Sequence, residues 1–202
     1  MSNAMFGRWN AAGILAVIAS VFLWPAAAAA QTVNGQAAAV QATVFGLLGN
    51  TVLGLANTGT LSDPSDAREA SQLTGNLLGA LTAEVPQATT IGLGDQVDSQ
   101  ASLANLSLSI AGSAIGADFL IAQATAGVKG RSSGSASFSN LSLNGVPIAV
   151  SGEPNQTVAI PGGTIVINEQ QAWPGGIYVN ALHITVGGVA DVVIGSATAE
   201  IQ

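Results

Sequence analysis

Leu103-Ala-Asn-Leu-Ser-Leu-Ser-Ile110 reads LANLSLSI, an apolar and polar alternation with the period of a strand that has one buried and one wet face. The same cadence continues in both directions. Asn144-Gly145 separates NLSL from VPIAV as a two-residue hairpin turn would. Thr157–Ile160, Thr164–Ile167, Ile177–Val186 and Ala190–Ile194 follow as β-branched runs, punctuated by Pro161-Gly-Gly163, Pro174-Gly-Gly176 and Gly187-Gly188. Many short strands with turn signals between them predict an all-β chain, an antiparallel sandwich or a barrel-like domain.

Upstream, Ala37–Leu55 reads as one or two strands, because Gly46, Gly49 and Gly54 weaken any helix. Ser62-Asp-Pro-Ser-Asp-Ala-Arg-Glu69 has the signature of a helix start: Asp63 as cap, Pro64 at the first helical position, Asp66 and Glu69 against the dipole. It predicts one short helix over residues 64–74, covering an end of the sheet. One internal echo is visible, ASLANLSL at 101–108 against ASFSNLSL at 136–143, with six of eight positions identical. Two copies are too few for a solenoid, so they read as two similarly placed strands.

Residues 1–30 have the layout of a secretory signal: Arg8, an apolar run from Ala11 to Trp24, then Pro25 and an alanine stretch with an A-x-A cleavage pattern ending at Ala30. The run is 14 residues long, short of the roughly 20 that a spanning helix needs. Met1–Ala4, ahead of Met5, reads as an expression scar. What remains, residues 31–202, is expected to form a single domain that is secreted, extracellular or periplasmic.

That remainder holds three basic residues, Arg68, Lys129 and Arg131, against eleven acids, a net charge of −8. Such a balance excludes the basic patches that nucleic acid or an anionic membrane surface would require. Charged residues are only 7% of the chain, so the surface must be wetted by Ser, Thr, Asn, Gln and Gly, as in extracellular matrix or surface proteins. With no cysteine there are no disulfides, no thiolate chemistry and no cysteine zinc site.

Chemistry-bearing residues are few. His183 is the only histidine, and simple alternation puts Ile177, Val179, Ala181, His183 and Thr185 on one face of its strand, with Tyr178, Asn180, Leu182, Ile184 and Val186 on the other. Apolar neighbours favour a structural histidine, for which Glu169 and Asp191 are the named carboxylate partners; a hydrolase built on His183 is the weaker reading. Gly130-Arg-Ser-Ser-Gly134 matches a nucleophile elbow, but it lies in a Gly/Ser-rich loop ahead of a β segment, where the motif has no meaning. Asp95 and Asp98 form an acidic pair that calcium would accept only with further oxygens, Asp118 or Glu153 being the candidates; no other cofactor is expected. Trp173 and Tyr178 flank Pro174-Gly-Gly176 and are the candidate platform for a sugar or other small ligand. Sequons at Asn105, Asn140 and Asn155 carry no special role.

The run from Gly134 to Gln170, GSASFSNLSLNGVPIAVSGEPNQTVAIPGGTIVINEQ, followed by YVNALHITV and ADVVIGSATAEI, resembles the choice-of-anchor P family of secreted bacterial proteins. The likeness extends over roughly residues 37–202, strongest from Ser135 onward. It implies export, a β-rich region and attachment to the envelope by variable tails, and carries no catalytic residues. The chain ends at Ile201-Gln202 without a sorting motif, terminal apolar helix or basic tail, so release or retention by self-association is the expectation. Together these features predict a non-catalytic surface or matrix protein with a structural, self-associating or adhesive role, the alternative being a carbohydrate or small-ligand binding module. The uncharged stretch Val33–Leu55 is a candidate for a strand donated to a neighbour's sheet.

Overall fold

A computed structural model describes residues 32–46 and 49–202; the signal segment 1–30 and the scar within it lie outside the described residues. Residues 31–202 form one compact unit. In chain order the strands are β1 (Val33–Gly46), β2 (Gly49–Asn57), β3 (Ala67–Ser71), β4 (Thr74–Leu77), β5 (Leu81–Gly92), β6 (Gln96–Ile110) and β7 (Ser113–Gly127). After a 3-10 turn at Val128–Gly130 come β8 (Arg131–Ser139), β9 (Ser142–Leu143), β10 (Val146–Pro147), β11 (Gln156–Ile160), β12 (Gly163–Trp173), β13 (Gly176–Val186) and β14 (Ala190–Ile201).

All pairings are antiparallel, in two sheets. The six-stranded sheet runs β11-β12-β13-β14-β1-β2, and the eight-stranded sheet β10-β9-β7-β6-β5-β3, with β4 also on β5 and β8 also on β7. Strands β13, β14 and β1 face β5, β6, β7 and β8 across the interior, which makes a β-sandwich. Ile165, Ile167, Leu182, Ile184 and Ile194 from one sheet meet Leu103, Ile115 and Leu120 from the other, all without solvent exposure worth the name. Burying each such side chain contributes about 1.5–3 kcal/mol. The interior is aliphatic and finely fitted: a Cβ on Gly134 of β8 would overlap Val179 Cγ2, so only glycine lets β8 lean this closely on β13.

The long strands do not keep one face inward throughout. Four of the five pairs in the six-stranded sheet omit one residue per strand from their register, the short β11–β12 pair being continuous, and the omitted residues line up as Asn168, Ala181, Gly195, Ala39 and Ala56. Three of them have left-handed backbone, Asn168 (φ 53°), Gly195 (φ 64°) and Ala56 (φ 45°). A residue skipped in the ladder, left-handed or not, turns the pleat over, so side chains beyond it change sides. On β13 the inward set is therefore Ile177 and Val179, then Leu182, Ile184 and Val186, while Tyr178, His183 and Thr185 reach the outer surface. The simple alternation that put His183 with Ile177 and Val179 is corrected: Ala181 is the pivot, and the histidine shares the wet face with Tyr178.

The eight-stranded sheet turns over in the same way, at Val85 (φ 45°), Asn105 (φ 46°) and, after β8, Asn140 (φ 53°). Asn105 and Asn140 are equivalent positions of the internal echo, and the leucines that follow them, Leu106 and Leu141, are both buried. The echo marks one kink used twice, with asparagine supplied because it tolerates left-handed backbone better than other residues with a Cβ.

The helix expected over residues 64–74 is absent, and this is a correction. Asp63 does cap, its Oδ1 accepting from Ser65 N at 2.7 Å, but it caps a tight turn in which Asp66 N donates to Asp63 O at 3.2 Å. Residues 67–71 then pair with Ile91–Gln87 as an edge strand, and 74–77 pair with Glu84–Leu81. Aspartate followed by proline starts a type I turn as well as a helix, and the ladder offered by β5 outweighs local helix propensity.

Candidate functional site

The outer face of the six-stranded sheet collects most of the chemistry-bearing side chains. At one end, Trp173 closes β12 opposite Gly176, and a Cβ on that glycine would lie 2.5–2.6 Å from Cε2, Cζ2 and Nε1 of the indole. Near-equal distances to three atoms of the fused ring mean that the indole lies flat over the glycine rather than touching it edge-on. Its Nε1 donates to Glu200 Oε1 at 3.1 Å, and Glu200 Oε2 accepts from Asn34 Nδ2 at 3.3 Å. Tyr178 stands beside it, ring centroids 6.5 Å apart and planes tilted by 47°. Burial, with the charge of Glu169, pushes the Tyr178 phenol above its ordinary value.

Toward the sheet's centre, past the pivot row, His183 sits between two carboxylates. Its Nδ1 is 2.9 Å from Glu169 Oε2, and Nε2 is 3.1 Å from Asp191 Oδ2. Asn180 Nδ2 donates to Glu169 Oε2 at 2.6 Å, fixing that carboxylate from a second side. Both ring nitrogens therefore face acceptors, which suits an imidazolium with two protons to donate. Burial alone would lower the His183 pKa, but the hydrogen bonds and charges of Glu169 and Asp191 outweigh it and hold the pKa above the ordinary histidine value. The arrangement is a hydrogen-bonded clamp across β12, β13 and β14.

Asp191 also borders a shallow depression of about 450 Å³ over β1 and β2, lined by Gln41, Thr43, Val52, Gly54, Asn57 and Val193. Sequence reasoning missed this part, since Gln41, Gly54 and Asn57 come together only once β1 and β2 are paired in register. Together the aromatic end, the clamp and the depression cross five strands, about 19 Å at about 4.8 Å per spacing. Three carboxylates, Glu169, Asp191 and Glu200, against one histidine leave the strip acidic.

The remaining candidates do not join it. Asp98 accepts from Thr125 Oγ1 at 2.7 Å and Gln96 Nε2 at 2.6 Å on the other sheet. Asp118 is engaged by Asn140 at 2.6 Å, and among the described residues no group of three or more His, Asp or Glu side chains is gathered around Asp95 or elsewhere to hold a metal ion. Gly130-Arg-Ser-Ser-Gly134 runs from the 3-10 turn into β8, not from a strand into a helix. Val33–Leu55 builds β1 and β2 of the chain's own sheet, with β1 central between β14 and β2. No helix among the described residues is long and apolar enough to cross a membrane. No family model, no curated protein and no solved structure matches the chain.

Proposed function

We propose that this chain is a secreted, non-catalytic adhesive domain of a bacterial surface or matrix, which holds uncharged saccharide on the outer face of its six-stranded sheet. The observation that carries the reading is Trp173, laid flat on Gly176 and pinned by Glu200, with Tyr178 alongside. A fixed indole face offers an apolar plane to the C–H face of a pyranose without the entropy cost of ordering a free side chain. Glu169 and Asp191 supply carboxylate groups for sugar hydroxyls, as expected of a few placed polar groups beside an apolar platform. The acidic strip disfavours uronate and sulfated polymers by like-charge repulsion.

The signal-like residues 1–30, the low charge and the resemblance to the choice-of-anchor P proteins support export and a place at the envelope. The test is retardation of residues 31–202 in native gels cast with uncharged polysaccharides: β-glucan, mannan, xylan and glycol chitin. Retardation by at least one of these, abolished by Trp173→Ala and absent with polygalacturonate, is the expected result. Equal mobility in every gel would overturn the reading.

A further inference from the structure

At the end of the sandwich that carries the β4–β5, β6–β7 and β13–β14 turns, the two sheets part and leave a cleft of about 260 Å³. Leu53 and Val192 wall it from the six-stranded sheet, Leu81 and Leu108 from the eight-stranded one. Leu78 and Val189 stand at its rim, 72% and 46% exposed. Among the described residues that line the cleft Ser109 is the only polar one, and none is charged or aromatic.

Leu78 is out of place by the ordinary rules of turns. Ala80 N donates to Leu77 O at 3.0 Å, closing a turn whose central residues Leu78 (φ 52°) and Gly79 (φ 70°) are both left-handed. Such a turn favours Asn-Gly, which this chain supplies at Asn144-Gly145 (φ 53° and 76°) between β9 and β10. At the cleft a leucine takes the asparagine's place, with a strained backbone and an apolar side chain in water. That choice favours neither the turn nor solubility, but it extends the apolar wall of a ligand pocket.

We propose that this cleft binds one linear aliphatic chain, the tail of a single-chain amphiphile with an uncharged head. A closed apolar cavity of about 150 Å³ takes a benzene, so at the same volume per carbon this one takes roughly ten carbons. The lining selects the chemistry: with no charge, no aromatic face and one hydroxyl, it favours saturated carbon and leaves a polar head to water and Ser109. A negatively charged head is disfavoured by the −8 of residues 31–202. The volume holds one such tail, too little for the paired long tails of a bilayer lipid. The cleft lies between the sheets, whereas Trp173 lies on an outer face, so tail binding is independent of the saccharide reading.

The test is equilibrium dialysis of residues 31–202 against radiolabelled hexanol, octanol, decanol and dodecanol. One molecule per chain should bind, with affinity rising about fourfold per added methylene up to decanol and no further at dodecanol. Ala80→Phe, at an exposed position of the mouth, should block uptake with circular dichroism unchanged. Leu78→Asn should weaken decanol binding about fourfold while leaving the urea midpoint unchanged or higher, because asparagine suits the turn better than leucine. Uptake that never saturates, equal affinity across the series, wild-type binding by Ala80→Phe, or a Leu78→Asn chain that loses stability in step with affinity would each overturn the proposal. So would a dimer that Leu78→Asn disperses in sedimentation velocity, which would give the cleft to a second copy. Flotation with phosphatidylcholine vesicles in the absence of decanol uptake would overturn it in favour of a membrane surface.

Discussion

The two outer faces of the sandwich are built on the same backbone plan and carry different chemistry. On the eight-stranded sheet the outward residues are mostly amides and hydroxyls, with Asp98, Asp118 and Phe119 among them: Gln123 Nε2 donates to Gln100 Oε1 at 3.0 Å, Thr125 Oγ1 to Asp98 at 2.7 Å, and β8 shows Ser133, Ser135, Ser137 and Ser139 to solvent. On the six-stranded sheet the outward residues are Trp173, Tyr178, His183 and three carboxylates. Both sheets turn their pleat over at residues skipped in the ladder register, several of them left-handed, so the kink itself does not make the difference. The difference is in what the kink exposes: past Ala181 it brings His183 out, whereas past Asn105 it brings out Ser107 and Ser109. One face is a wetting surface and the other carries the proposed platform.

The largest effect is expected where the pivot has no tolerance for a side chain. Gly195 has φ 64°, and a Cβ there would lie 2.9 Å from Leu120 Cδ1 and 3.1 Å from Ala181 Cβ. Gly195→Val combines backbone strain with overpacking and should cost about 3 kcal/mol or more of stability, read by urea denaturation. Asn105→Ala, the matching change in the other sheet, should cost only about 1–2 kcal/mol, since it loses left-handed tolerance and an exposed hydrogen bond to Glu84. Equal costs would mean that the two kinks are not held by different means.

Next in size is the aromatic platform. Gly176→Ala should lift the Trp173 indole off the sheet, break its bond to Glu200 and shift its fluorescence, while lowering saccharide affinity about tenfold, or about 1.4 kcal/mol. Gln100→Ala with Gln123→Ala on the opposite face should leave that affinity unchanged.

The smallest effect is a pH slope. The His183 pKa is raised in the folded chain, so the folded state binds its proton more tightly than the unfolded one. The resulting stabilisation is fully present below the ordinary histidine value of about 6.5 and is lost as pH rises through the folded-state value. Denaturation midpoints for the wild-type chain should therefore fall across that interval, and His183→Gln should remove this component. Asp191→Asn should shrink it, as should Glu169→Gln; a His183 titration seen by NMR that ignores both changes would contradict the clamp.

Strand existence was legible because β-branched runs and glycine-rich turns are local signals, and the hairpin at Asn144-Gly145 appears as expected between β9 and β10. The helix over 64–74 was misread because Asp63-Pro64 serves a turn equally well, and no local signal reveals that β5 waits to pair with Ala67–Ser71. Pleat reversal was hidden in plain letters. Strict alternation fails at Asn105, Asn140 and Asn168, and an asparagine interrupting the period inside a β run is a signal that could have placed His183 beside Tyr178. Glu169, His183 and Asp191 were nameable from the sequence as partners. The flat pose of Trp173 was not, because it depends on Gly176 and Glu200 meeting it across two strand pairings.

Over residues 31–202 Trp173 is the only tryptophan, so its emission reports on the platform alone. The most direct measurement is a fluorescence titration of that chain with an oligosaccharide of whichever uncharged polymer retards it, repeated after Gly176→Ala. Saturable change in Trp173 emission, weakened about tenfold by the substitution, is the expected result. Saccharide binding that leaves Trp173 emission unchanged, or that Gly176→Ala does not weaken, would contradict the account.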